Sequence, residues 1–203
     1  MPETGKPPRR QQILEALAQE LESRPGVRIT TARLAEVVGV SEAALYRHFP
    51  SKAKMFEALI EFAEESVFGL SNRILGEESD ATRRCERMLT MLLTFSDRNP
   101  GITRVLLGEA LVGEHGRLRA RVSQFFDRFE TQLKQILREG EQVTELGLRA
   151  SIAAIANLLM AVVEGRMTQF SRSDFEHSPM ESWEQQWLLL RDGLFPRAGG
   201  WPA

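Results

Sequence analysis

The sequence predicts an all-α protein in two parts: an N-terminal three-helix head of helix-turn-helix type over 9–51 and a larger helical C-terminal domain over 52–203. Three observations predict it. Apolar residues recur at helical spacing along most of the chain, and no period-two strand pattern is present. Between Ile29 and Lys52, two short amphipathic segments meet at Gly39-Val40-Ser41, the turn length of a helix-turn-helix. From Lys52 onward the apolar stripes lengthen well beyond what a reading head needs.

Residues 1–8 hold three prolines and a glycine without apolar periodicity, which reads as a flexible arm. Arg9 and Arg10 follow and are candidates for added phosphate contacts, although a solvated arm is the plainer reading. Ile13, Leu14, Leu17, Ala18 and Leu21 share one helical face, and Arg24-Pro25-Gly26 ends that helix. Thr30 or Thr31 can cap the next, because a hydroxyl oxygen accepts from the unpaired amides of a first turn. Leu34, Ala35 and Val38 then recur on one face, and Gly39 stops the helix with the left-handed backbone that glycine adopts readily. Ser41 caps a helix from Glu42 to Phe49, and Pro50 follows it.

In a helix-turn-helix the second helix enters the major groove while the first braces it across the backbone. Leu45 and Phe49, four apart, face the core and leave Glu42, Ala43, Ala44, Tyr46, Arg47 and His48 for the groove and its walls. Small Ala43 and Ala44 let the helix sit deep and touch a thymine methyl, Tyr46 reaches a phosphate or base edge, and Arg47 and His48 meet phosphates. Thr31, Arg33 and Ser41 complete the expected DNA-binding set on the bracing side. Lys52 joins it at the start of the following helix, whose free amides suit a phosphate.

The later helices follow in order. Met55, Phe56, Leu59, Ile60, Ala63, Val67 and Ile74 predict one long helix from Lys52 to near Gly76, with Phe62 off the stripe and exposed. Ala81 to Arg98 is the next, ended by Asn99-Pro100-Gly101. Ile102 to Leu107 begins a shorter one that Gly113 to Gly116 terminates, and Leu118 to Leu137 lies on a long amphipathic helix ending at Gly140. Ile152 to Val163 is apolar on all faces apart from Asn157, and a helix without a polar face needs cover on every side. A second copy of the chain is the expected cover, with Ile152, Ile155, Ala156, Leu159, Val163, Trp183 and Trp187 at the dimer contact. A homodimer also suits a reader with one helix-turn-helix per chain, which needs two half-sites about one helical turn apart.

Composition narrows the function classes. The chain has 203 residues, 42% hydrophobic and 27% charged, the profile of a soluble globular protein. One cysteine, Cys85, permits no intramolecular disulfide and reads as a small core residue. The N-terminus carries no signal-peptide pattern, and the apolar run at 152–163 is shorter than the roughly 20 residues of a membrane span, so a cytoplasmic location is expected. Net charge is -2, yet residues 1–56 hold nine Lys/Arg against six Asp/Glu, so the head is basic and the remainder acidic. That mild excess points to double-stranded DNA bound through paired heads and base contacts as well as charge. His48, His115 and His177 have no metal-ligand spacing, and neither a phosphate loop nor a G-x-S-x-G elbow occurs. No catalytic residue, metal or cofactor is expected, and the chain reads as a non-enzyme.

Val40-Ser41-Glu42-Ala43-Ala44-Leu45-Tyr46-Arg47-His48-Phe49-Pro50-Ser51-Lys52 resembles the DNA-binding domain of the TetR family. Arg28-Ile29-Thr30-Thr31-Ala32, Leu59-Ile60-Glu61-Phe62, Arg98 to Arg104 and Gln132-Leu133 with Leu137-Arg138-Glu139 extend the likeness to the family's nucleoid occlusion branch. The resemblance implies a nucleoid-associated protein that binds specific chromosomal sites and, while bound, engages the division GTPase FtsZ and blocks septum assembly. It also implies that Thr30 belongs to the DNA-binding region, and it implies an FtsZ-binding surface with Phe62, Met91, Arg98 and Asn99, a groove for a short peptide with apolar and acidic groups. Leu70 and Thr94 stand where the resemblance leads one to expect Arg and Gly, which alters that surface. The generic family reading, a repressor released from DNA by a small molecule, is the alternative.

Overall fold

The computed structural model describes residues 7–24, 26–114, 116–144 and 147–195. The expectations for 1–6, Pro25 and His115 therefore lie outside the described residues. Regular structure among the described residues is helical: α1 (Arg9–Ser23), α2 (Thr31–Val38), α3 (Glu42–His48), α4 (Lys52–Glu77), α5 (Ala81–Arg98), α6 (Pro100–Leu106), a 3-10 turn (Glu109–Leu111), α7 (Gly116–Thr144), α8 (Ile152–Arg172) and α9 (Trp183–Leu194). The chain folds into two compact units, Met1–Ala63 with Asn99–Val122 and Glu64–Arg98 with Ser123–Ala203. Compactness thus differs from the linear division at 51/52, because α6 and the 3-10 turn join the helix-turn-helix in one unit.

In the first unit, Ile13, Leu17 and Leu21 of α1 form a buried stripe, and Leu34, Leu45, Phe49, Met55 and Phe56 complete the core beside it. Helix α6 packs on α1 with no clearance. A Cβ added at Gly101 would stand 1.9 Å from the Ala18 carbonyl oxygen, so only glycine permits the approach. Pro100 occupies the first turn of α6, where its missing N–H removes no helical bond, and Thr103 N–H donates to Asn99 O at 2.9 Å. One turn on, the Arg104 side chain is buried and donates from Nη1 to Leu21 O at 2.7 Å and Arg24 O at 3.2 Å. Its Nε lies 3.3 Å from Glu109 Oε2, so the buried charge is paired as well as hydrogen-bonded.

In the second unit α5 packs on α8 and α9. Cys85, Met88, Leu89, Leu92 and Leu93 meet a core that includes Leu159, Val163, Met167, Trp183 and Trp187. Trp183 Nε1 donates to Thr90 Oγ1 at 2.8 Å, and Ser178 Oγ donates to Asp97 Oδ1 at 2.8 Å, which seats the α8–α9 connection on α5. Arg166 of α8 donates from Nε to Pro179 O at 2.6 Å and from its other nitrogens to Gln186 Oε1 and Glu181 O.

Three helix ends differ from expectation: α6 stops at Leu106, with Gly108 in left-handed backbone (φ 77°) just after it, short of the terminator expected at Gly113 to Gly116. Gly140 lies inside α7, which continues to Thr144, because an interior glycine costs only about 1 kcal/mol against alanine and the helix has tertiary support. Phe49 caps α3 in extended backbone (φ -137°), so the reading helix ends at His48.

Gly101→Ala is expected to overpack the α1–α6 contact and cost about 1–3 kcal/mol, read as a lower urea midpoint by circular dichroism. Gly69→Ala, where a Cβ meets nothing within 4 Å, should instead raise the midpoint. Equal midpoints for the two variants would contradict the packing.

Candidate nucleic-acid interface

Helix α2 opens at Thr30, whose side-chain oxygen accepts from Arg33 N–H at 3.2 Å, so of the two candidate threonines Thr30 is the cap. Gly39 closes it in left-handed backbone (φ 72°, ψ 43°), with Gly39 N–H donating to Glu36 O at 3.1 Å and Val40 N–H to Ala35 O at 2.9 Å. Ser41 caps α3 by accepting from Ala44 N–H at 3.2 Å. Each terminus of this motif is therefore held by a local hydrogen bond, and Leu45 and Phe49 fasten α3 to the core.

Thr31 is the first residue of α2 and acts across the motif. Its hydroxyl donates to Glu42 Oε2 at 2.7 Å and lies 3.3 Å from Tyr46 OH. The structure thus brings Thr31, Glu42 and Tyr46 together in one cluster that sets the angle of α3 against α2. Ala43, Arg47 and His48 are exposed on α3, and Ala44 is half-buried.

Arg33 and Lys52 are placed differently from the solvent-facing positions that phosphate contact suggests. Arg33 pairs with Glu20 at 3.2 Å and Glu36 at 3.0 Å, and its hydrogen bond to Glu20 is the main cause of a raised guanidinium pKa. Lys52 Nζ lies 2.8 Å from Glu114 Oε1. Lys54 pairs with Glu57 at 2.6 Å; that hydrogen bond, followed by the Arg117 charge, holds the Glu57 carboxyl below its usual range. Arg9 and Arg10 belong to the head rather than to an arm: Arg9 starts α1, and the Arg10 guanidinium sits 4.8 Å from the Phe49 ring centroid. The acidic partners Glu20 and Glu114 were missed in the sequence, since neither stands at helical spacing from its basic partner.

Of the residues assigned to FtsZ by resemblance, Phe62 (48% exposed) and Asn99 lie in the first unit, and Met91 and Arg98 in the second. Arg98 is exposed in the last turn of α5, where its charge complements the helix dipole. Leu70 is exposed and Thr94 half-buried, its hydroxyl 3.7 Å from Met180 Sδ.

The residues expected at a dimer contact require correction. Ile155, Ala156, Leu159, Val163, Trp183 and Trp187 are each no more than 2% exposed within the single chain, and Ile152 is half-buried. They belong to the core of the second unit. The apolar surface left on these helices is Leu158 (44% exposed), Leu188 (45%) and Leu189 (76%), with Ala154, Ala161 and Gly165 exposed on α8. Cys85 is fully buried, and burial pushes its thiol up to about 12, so it is not a thiolate at neutral pH. Among the described residues no group of three His, Cys, Asp or Glu could hold a metal, and no helix is long and apolar enough to cross a membrane.

Comparison with known proteins places this geometry. Residues 13–59 match the family described as bacterial regulatory proteins, tetR family, and residues 79–194 match the tetracyclin repressor-like C-terminal domain of SlmA-like type. The MbdR regulator from Azoarcus sp. CIB has the same fold, with a TM-score of 0.79 at 16% identity over 93% of this chain and 100% of that one. The ketosteroid regulator KstR2 of Mycobacterium tuberculosis gives a TM-score of 0.78 at 15% identity over 95% and 97%. Head and helical domain together define a TetR-type DNA-binding regulator. Much nearer in sequence is the nucleoid occlusion factor SlmA of Shewanella amazonensis (strain ATCC BAA-1098 / SB2B), 57% identical over 186 residues, 92% of this chain and 94% of the relative. SlmA of Alteromonas mediterranea is 55% identical over 191 residues, 94% and 98% of the two chains. The chain belongs to the SlmA family of nucleoid occlusion factors, within the TetR family.

Thr30→Ala removes the cap of α2 and is expected to cost about 1 kcal/mol in stability, with weaker DNA binding as the bracing helix frays. Denaturant titration and gel shift measure the two effects. An unchanged affinity would remove Thr30 from the interface.

Proposed function

We propose that the chain acts as a homodimer on specific double-stranded chromosomal sites and, while bound, engages FtsZ, so that septum assembly is blocked over the nucleoid. The observation that carries this reading is 55–57% identity to SlmA relatives over more than nine-tenths of the chain, head and C-terminal helices alike. Residues 9–51 read the DNA, and 52–203 carry dimerisation and partner binding. The protein works in the cytoplasm on the nucleoid, as a binding protein without cofactor or catalytic step.

Helix α3 supplies the groove contacts through Glu42, Ala43, Ala44, Tyr46, Arg47 and His48, and Thr30, Thr31, Ser41 and Lys52 frame it. Phe62 and Asn99 in the first unit and Met91 and Arg98 in the second are the FtsZ contacts: the exposed aromatic suits an apolar side chain of a peptide and the exposed guanidinium an acidic one. The homodimer forms through the outward faces of α8 and α9. Leu158, Leu188 and Leu189 provide apolar area there, and Ala154, Ala161 and Gly165 allow close helix approach. A pocket of about 190 Å³ in the second unit is lined by polar side chains including Arg166, His177 and Gln186. Small-molecule sites are commonly about 300–1,000 Å³ and mostly apolar, so this pocket does not favour a ligand-released repressor.

Sedimentation of FtsZ polymers with this protein, with and without a duplex selected by it, tests the function. Polymer recovery is expected to fall most when DNA is present, and no effect in either condition would count heavily against occlusion. Arg98→Glu and Phe62→Ala should each weaken FtsZ binding several-fold at unchanged DNA affinity, whereas equal loss of both activities would indicate a damaged fold. Leu189→Glu is expected to yield monomers in analytical ultracentrifugation and to weaken specific DNA binding. A variant that stays dimeric would exclude this face as the interface.

A further inference from the structure

The first turn of α4 carries Lys52 and Lys54 and no acidic residue, an unfavourable charge at the positive end of a long helix. Ser51 caps that turn by accepting from Lys54 N–H at 3.2 Å, and the charge of Lys52 is met by an anion from the chain itself. Lys52 Nζ is 2.8 Å from Glu114 Oε1, and the two side chains are only 19% and 12% exposed. The ammonium also stands 5.4 Å from the ring centroid of buried Phe56, which further removes it from solvent. Glu114 comes from the connection between the 3-10 turn and α7, directly after Gly113, whose left-handed backbone (φ 80°) turns the chain there. Exposed lysine pairs are weak because water screens them. This pair is largely out of water and joins residues 62 apart in sequence, so its Coulomb attraction is less screened than that of Lys54 with Glu57, whose lysine is 50% exposed.

We propose that Glu114 is an intramolecular competitor for the phosphate seat at Lys52, and so a positioning residue that sets the DNA affinity of the head. This rests on the reading of Lys52 as a DNA contact. In the free protein the Glu114 carboxylate takes the place of a DNA phosphate. A duplex displaces it, Lys52 turns to the backbone, and the freed carboxylate stays close enough to oppose the bound strand. The head thus binds below its full electrostatic capacity, which disfavours non-specific DNA, where affinity comes almost wholly from phosphate contacts, more than a site that also offers base contacts.

The test uses full-length protein and a duplex selected from random sequence by the wild type, with affinity followed against salt by fluorescence anisotropy. Glu114→Gln is expected to bind roughly three- to tenfold tighter at low salt, with a slope of log affinity on log salt steeper by about 0.9 per subunit. The gain on random-sequence duplex should exceed that on the selected one. Adding Lys52→Met to that variant should abolish the gain in both affinity and slope, and Glu114→Asp, which keeps the charge, should stay near wild type. Unchanged or weaker binding by Glu114→Gln at unchanged slope overturns the proposal, as does a gain that survives Lys52→Met. Should Glu114→Gln fail to fold, Glu114→Ala decides by the same two readouts: tighter binding with a steeper salt slope supports the competition, and unchanged affinity and slope overturn it. Failure of the wild type to bind any duplex sinks the DNA-binding reading itself, a result distinct from any difference among the variants.

Discussion

The contact of α6 with α1 is the constraint on which the first unit depends. The last carbonyls of any helix lack intrahelical donors, and those at the end of α1 are met by a side chain from far along the chain: Arg104 donates to Leu21 O and Arg24 O. A buried guanidinium is tolerable only when its charge and donors are met, and Glu109 with the two carbonyls meets them. Gly101 sets the distance, since any larger residue would drive its Cβ into the Ala18 carbonyl. Residues 99–122 are consequently as much a part of the reading unit as the helix-turn-helix.

From that anchor the order of the head can be followed outward. Helix α1 also presents Glu20 to Arg33, which ties it to α2, and Thr31 at the start of α2 holds Glu42 and lies beside Tyr46 on α3. Helix α3 is only seven residues long and would be marginal alone. Its position is fixed by two caps, two buried side chains and that polar cluster. A short helix held in this way has little ordering left to do when a partner meets it, and preorganisation of that kind favours affinity.

Charge on the head is managed rather than displayed. Arg33, Lys52 and Lys54 are all paired with carboxylates, which leaves Arg47 and His48 of α3 more open to a duplex. Composition alone gave a mild basic excess for residues 1–56, and the ion pairs reduce it further by drawing in Glu57 and Glu114 from beyond that stretch. Two weakly basic heads acting together, with base contacts, fit such a surface better than charge acting alone. In the second unit Arg166 does for the α8–α9 connection what Arg104 does for α1, binding Pro179 O and Glu181 O.

By itself the sequence determined the all-helical class, the helix-turn-helix with its Ser41 cap and Gly39 turn, the span of α5 and the start of α4, while the choice of Thr30 over Thr31 as the cap of α2 came from the structure. These rest on caps, glycines and apolar spacing, interactions between residues close in the chain. Tertiary structure decided which residues share a unit, since Gly101 and Arg104 find their partners about 80 positions away. It decided the facing of α8 as well: a helix apolar on all sides carries no mark of which side its own core takes, so Ile155, Leu159 and Val163 turned inward and Leu158 stayed exposed. Lys52 and Arg33 follow the same logic. A basic residue in a motif announces its charge, but whether a phosphate or a neighbouring carboxylate meets it depends on what the fold brings within 3 Å or so of its nitrogen.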